Sequence, residues 1–230
     1  MARASRREAE RIGKPPKAGR YTLGVFAVLA SEFVLRDILL PPNASALQIG
    51  AVLVAEWMVL IVLLALWISR AEGLPRVGIG WTKPKWRHLW LGLLAYLLVT
   101  GAMMVSGFIL PAVGLEPIRS LQPKLVVLGW PVLVGLFVTG TILEEIVYRG
   151  FLIERVALLT GRVWLAGLVS WLAFTLVHLR FFGMGPTIDV SIFSAALVIL
   201  YLKERSLWPC IVLHGLNDLL AFVVFPLLMR

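Results

Sequence analysis

Three short stretches of this sequence set ionisable side chains among apolar neighbours, each at a spacing of four that stacks two groups on one helical face. The first is Glu144-Glu145-Ile146-Val147-Tyr148-Arg149, which follows an apolar run over 126–143. Glu145 and Arg149 can pair there, which offsets the cost of burying either charge. Glu144 points about 100° away from that pair on an α-helix. The second stretch, Phe174-Thr175-Leu176-Val177-His178, carries one histidine in an otherwise apolar segment. The third, His214-Gly215-Leu216-Asn217-Asp218, sets His214 on a face with Asp218 and, less closely, with Asn217. Taken singly, the glutamates read equally well as interfacial and His178 as a packed core residue. The crowding of His, Asn and Asp in one window is harder to explain by packing.

A charge at the centre of a bilayer costs roughly 2.5–3.5 kcal/mol on insertion scales, so such side chains face a cavity or a partner. Two histidines, several carboxylates and an asparagine from three helices suffice for hydrolysis without a Ser or Cys nucleophile. A carboxylate or histidine acts as general base on water, and donors hold the oxyanion formed when an amide is attacked. The alternative use of the same groups is a zinc site built from Glu144, His178 and His214, although no His-Glu-x-x-His is present. Glu56 lies near the middle of another apolar run and must pair across helices or carry a proton. It reads as a supporting residue, and Glu32 is similar but nearer an interface.

The elements that position these groups follow from composition. The chain is 60% hydrophobic and only 15% charged, with mean hydropathy +0.90, against about 25% charged for a soluble domain. The expected fold is all-α, a polytopic transmembrane helical bundle. Apolar windows of membrane-crossing length fall at 21–40, 47–69, 89–111, 125–143, 163–179, 186–202 and 207–229, which gives about seven spans within a range of six to eight. Residues 21–230 form one bundle behind a basic cytoplasmic tail, 1–20. No room is left for a separate soluble domain.

The net charge of +9 follows topology rather than nucleic acid. Of 22 Lys and Arg, seven lie in 1–20, five in 70–87, three in 149–162 and two in 203–205. Alternate segments are thus basic, which places the N-terminus, 70–87 and 149–162 in the cytoplasm and 112–124 outside. The surplus charge suits contact with membrane lipids. The first forty residues mimic a secretory signal, but Glu32, Arg36 and Asp37 within a long apolar run favour an uncleaved anchor. Cys210 is the only cysteine, which excludes an intrachain disulfide and a cysteine-based metal cluster. The connector over 70–87 reads as a basic stretch on the membrane surface, with Trp81 and Trp86 at headgroup level. The stretch Arg180-Phe181-Phe182-Gly183-Met184-Gly185-Pro186-Thr187-Ile188-Asp189 reads as a loop.

The three stretches, in this order on apolar helices, resemble the CPBP intramembrane proteases, which include the type II CAAX prenyl endopeptidases and bacteriocin-processing or immunity proteins. That family's motifs are Glu-Glu-x-x-x-Arg, Phe-x-x-x-His and His-x-x-x-Asn/Asp, and the resemblance covers about 125–222 as a protease core. It implies an endopeptidase of glutamic type acting on a protein or peptide substrate, with or without a lipid group, in the cell membrane. Glu144 would be the base on water with His178 assisting, and Glu145 and Arg149 would position the site. His214 and the fourth residue of the last motif would bind the oxyanion. That fourth residue is commonly Asn in the family and is Asp218 here. An ionised Asp accepts but cannot donate, so Asp218 carries a proton, orients His214, or leaves donation to Asn217. The expected arrangement uses no cofactor, with zinc as the alternative. A catalytically idle membrane scaffold or bacteriocin-immunity-type protein is the competing reading. A transporter is a third, disfavoured because no two halves with matching broken helices are visible.

Overall fold

The apolar runs fold as helices because a backbone surrounded by hydrocarbon must satisfy its own polar groups. The computed structural model describes residues 18–32, 34–35, 44–62, 76–117 and 127–229. Among these there is no strand. The helices are α1 (Ala18–Glu32), α2 (Ala46–Val62), α3 (Trp86–Ala112), α4 (Trp130–Thr160), α5 (Val163–Phe182), α6 (Met184–Glu204) and α7 (Trp208–Leu228). Of these, α3, α4, α6 and α7 are long and apolar enough to cross a membrane, while α1, α2 and α5 carry shorter apolar stretches. Seven apolar helices therefore stand where about seven spans were expected. The tail over 1–17 and the side chain of Glu32 lie outside the described residues, and 18–20 already belong to α1.

Helix α4 is the central element. It packs against α1, α2, α5, α6 and α7, and its middle, Thr139–Ile153, takes the wider π form. Every residue of that segment except Ile142 is buried. The fourth window, read over 125–143 with the option of running on past the glutamates, does run on, to Thr160, and stops only at Gly161, with φ of 66°. Gly161 caps it by donating its N–H to Ala157 O at 2.8 Å.

Of the basic segment expected over 149–162, only Arg162 lies beyond α4. Arg149 and Arg155 are both 0% exposed inside α4. Arg155 Nη1 donates to Gly78 O at 2.8 Å, and its guanidinium stacks 4.7 Å from the Phe151 ring. This ties residues 78–82 of the connector to the bundle, while 83–87 stay exposed and 70–75 lie outside the described residues. Ile79 is buried, Leu207 N–H donates to Gly80 O at 3.0 Å, and Trp208 Nε1 donates to Thr82 O at 2.7 Å. Gly80 has φ of +71° and faces the Tyr201 ring, so a side chain there meets both backbone strain and a clash. Trp81 and Trp86 remain exposed, as a headgroup position requires.

Helix α3 turns Leu94, Leu97, Leu98, Val105, Phe108 and Ile109 outward, a surface suited to lipid and not to water. It is fastened to α6 at two depths. Arg87 Nη2 donates to Glu204 Oε1 at 2.6 Å near one end, and buried Ser106 donates to buried Asp189 near the other. Asp189 was expected in a loop. The structure starts α6 at Met184, because Gly183 alone, with φ of +79°, makes the turn from α5.

Candidate active site

The π form of α4 decides how the two glutamates face. Residues in a π-helix are spread over a wider turn, so adjacent side chains diverge by less than the 100° of an α-helix. Both glutamates accordingly address His214 of α7. Glu145 Oε1 accepts from His214 Nδ1 at 2.7 Å, and Glu144 Oε2 lies 4.0 Å from His214 Nε2. The two glutamates thus meet the two nitrogens of one histidine. The Glu145–Arg149 pair forms as the spacing indicated, with Nη1 donating to Oε1 at 3.1 Å.

Arg149 has partners on two further helices. Its Nη2 donates to Ser194 Oγ of α6 at 3.0 Å, and its guanidinium lies 4.2 Å from the centre of the Phe174 ring of α5. A completely buried Arg–Glu pair is tolerable only where such additional contacts satisfy it. Arg149, Glu145, Ser194 and Phe174 are all buried to within 1% of complete. Ser194 gave no sign in the sequence, since one serine in an apolar helix has no partner within reach along its own chain. Phe193, whose ring meets His214 edge-on at 4.9 Å, is invisible for the same reason.

His214 Nε2 faces Asp218 Oδ2 at 3.5 Å as well as Glu144. Asn217 Nδ2 donates to Asp218 Oδ1 at 3.2 Å, so the asparagine serves its neighbour.

His178 is half-buried on α5. Its Nδ1 donates to Phe174 O at 2.7 Å, and its ring lies 4.5 Å from that of Phe174. A carbonyl partner fixes the proton on Nδ1 and leaves Nε2 as the acceptor nitrogen. Phe174 is the common neighbour of the cluster, since its ring also lies 6.1 Å from that of His214. Glu56 of α2 is buried, and its neighbour Trp57 donates from Nε1 to Thr139 Oγ1 at 3.0 Å, at the start of the π segment.

The zinc alternative is tested by the donors themselves. Among the described residues, no three of His, Cys, Asp and Glu stand as a metal-holding group. Glu144, His178 and His214 are not placed as such a group.

Compared with known proteins, residues 126–220 match the family described as type II CAAX prenyl endopeptidase Rce1-like. No curated protein and no solved structure matches the chain.

Proposed function

We propose that this chain, which belongs through residues 126–220 to the Rce1-like family of type II CAAX prenyl endopeptidases, is a membrane-embedded endopeptidase that cleaves a lipidated or membrane-associated protein or peptide. The observation that carries this reading is His214, held at Nδ1 by Glu145 while its Nε2 meets Asp218 and Glu144 in a buried cluster. In this reading Glu144 takes a proton from water. The acceptor nitrogen of His178 orients that water through its second hydrogen. Glu145 and Arg149 hold His214 in register, and Asp218 keeps its ring turned. Charges this deep are supported only by a function or by one another, and here they come as an ordered set on three helices.

The test is cleavage by purified protein in detergent, read by mass spectrometry of membrane-derived peptides with and without it. New termini that depend on the protein are the expected result. Their absence favours an idle scaffold or immunity-type protein. Activity is further expected to survive exhaustive chelation, because both His214 nitrogens are already engaged by carboxylates. Loss on chelation with return on stoichiometric zinc would overturn the metal-free arrangement.

The proposed location is the cell membrane with a cytoplasmic N-terminus. The antiparallel course of α3 to α7 brings Lys83, Lys85, Arg162, Lys203 and Arg205 to one end of the bundle, as the positive-inside rule requires. Cys210 is fully buried, so a new cysteine reports alone. Lys83→Cys, at an exposed position, is expected to react with an impermeant maleimide only after cells are opened. Labelling from outside intact cells would reverse the orientation.

A further inference from the structure

Each of the two helices that build the cluster offers a glycine to a polar side chain of the other. Gly140 of α4 receives Asp218, and a Cβ added there would overlap Asp218 Oδ2 and stand 3.6 Å from His214 Nε2. Gly215 of α7 receives Thr141, and its Cβ position lies 3.2 Å from Thr141 Cγ2 and 3.8 Å from Oγ1. Thr141 therefore packs on α7 at the residue that follows His214, and itself follows Gly140 on α4.

Thr141 is 6% exposed, and its Oγ1 has no hydrogen-bond partner among the described residues. Helical threonines normally donate back to the preceding turn, and this chain follows that habit elsewhere. Thr160 donates to Val156 O at 2.7 Å and Thr187 to Gly183 O at 2.6 Å. A buried hydroxyl that does neither is costly. Five buried side-chain polar atoms among the described residues lack a partner, and four of them sit on Thr141, Glu145, Arg149 and Thr175. The deficit is concentrated where α4 and α5 carry their motifs. The site is short of a polar partner that the chain itself does not supply.

In the last motif one Asn217 Nδ2 hydrogen is taken by Asp218, and His214 Nε2 stands 3.5 Å from the same carboxylate. We infer that Thr141 is a catalytic residue whose hydroxyl donates to the substrate carbonyl oxygen as it becomes an oxyanion, a role that rests on the hydrolytic reading above. The water oxygen bonds to the carbonyl carbon while its proton passes to Glu144, and the π pair moves onto the carbonyl oxygen facing Thr141. When the C–N bond breaks, that pair returns to the carbonyl, and the leaving nitrogen takes the proton from Glu144. A carboxylic acid and an amine result.

Two substitutions separate this role from packing. Thr141→Val keeps the shape against Gly215 and removes the donor, while Thr141→Ser keeps the donor and removes the methyl group. The expected result is a fall of about 10²-fold in kcat for the valine variant with KM unchanged, and near wild-type kcat for the serine variant. Thermal melts in detergent confirm that both remain folded. A packing role gives the reverse order, with valine active and serine impaired, and overturns the proposal alone. A wild-type protein that hydrolyses nothing overturns the hydrolytic reading first and this inference with it.

Discussion

Glu144→Gln is expected to lower peptide turnover by at least ~10²-fold, the scale of losing a general base, and to leave the bundle folded. Glutamine keeps the shape and one acceptor oxygen while removing the capacity to take a proton. Glu145 is already engaged, its Oε1 accepting from both His214 Nδ1 and Arg149 Nη1. Glu144 stands 4.0 Å from His214 Nε2, so its loss leaves the Glu145–His214 and Glu145–Arg149 contacts in place. The measurement is the initial rate of cleavage in detergent beside a melt of the same sample. A variant within about tenfold of wild type would show that Glu144 is not the base.

The second large effect concerns stability. Arg149→Met leaves Glu145 completely buried with His214 as its remaining partner and removes the donor to Ser194. Breaking a buried ion pair from one side costs about 3–5 kcal/mol, a large part of what a bundle of this size has to lose. The variant is expected to unfold at a clearly lower detergent or denaturant midpoint and to lose activity with it. Arg149→Met combined with Glu145→Gln is expected to recover part of the stability, since the stranded charge is gone, but none of the activity. A single variant as stable as wild type would mean that the arginine is not holding the glutamate.

These two residues also mark how far the sequence could be read. The Glu145–Arg149 pair was legible because both partners lie on one helix at a spacing that any helix brings together. The three motifs and the apolar runs were legible on the same ground, as properties of local periodicity. What local periodicity hides is a partner on another helix. Glu144, Glu145 and Arg149 looked like the end of a span because three charges commonly mark one. They lie mid-helix because His214, Ser194 and Phe174 arrive from three other helices to receive them. Arg155 was counted with the basic loops for the same reason, its acceptor being a backbone carbonyl 77 residues away. Asp189, 83 residues from Ser106, was read as loop. The π form of α4, which turns both glutamates toward one histidine, has no signature in the residue pattern.

The two fastenings between α3 and α6 have a mechanical meaning. Arg87 and Ser106 are 19 residues apart on α3, about 28 Å along the axis and close to the thickness of a bilayer's hydrocarbon core. A helix held at one depth can swing about that point. Held at both, more firmly at buried Ser106–Asp189 than at exposed Arg87, α3 tends to carry α6 when it leans. The lipid-facing rod and the inner one are in effect a single lever. A membrane whose thickness forces α3 to tilt displaces α6 as well, and with it Ser194, the side chain that steadies Arg149.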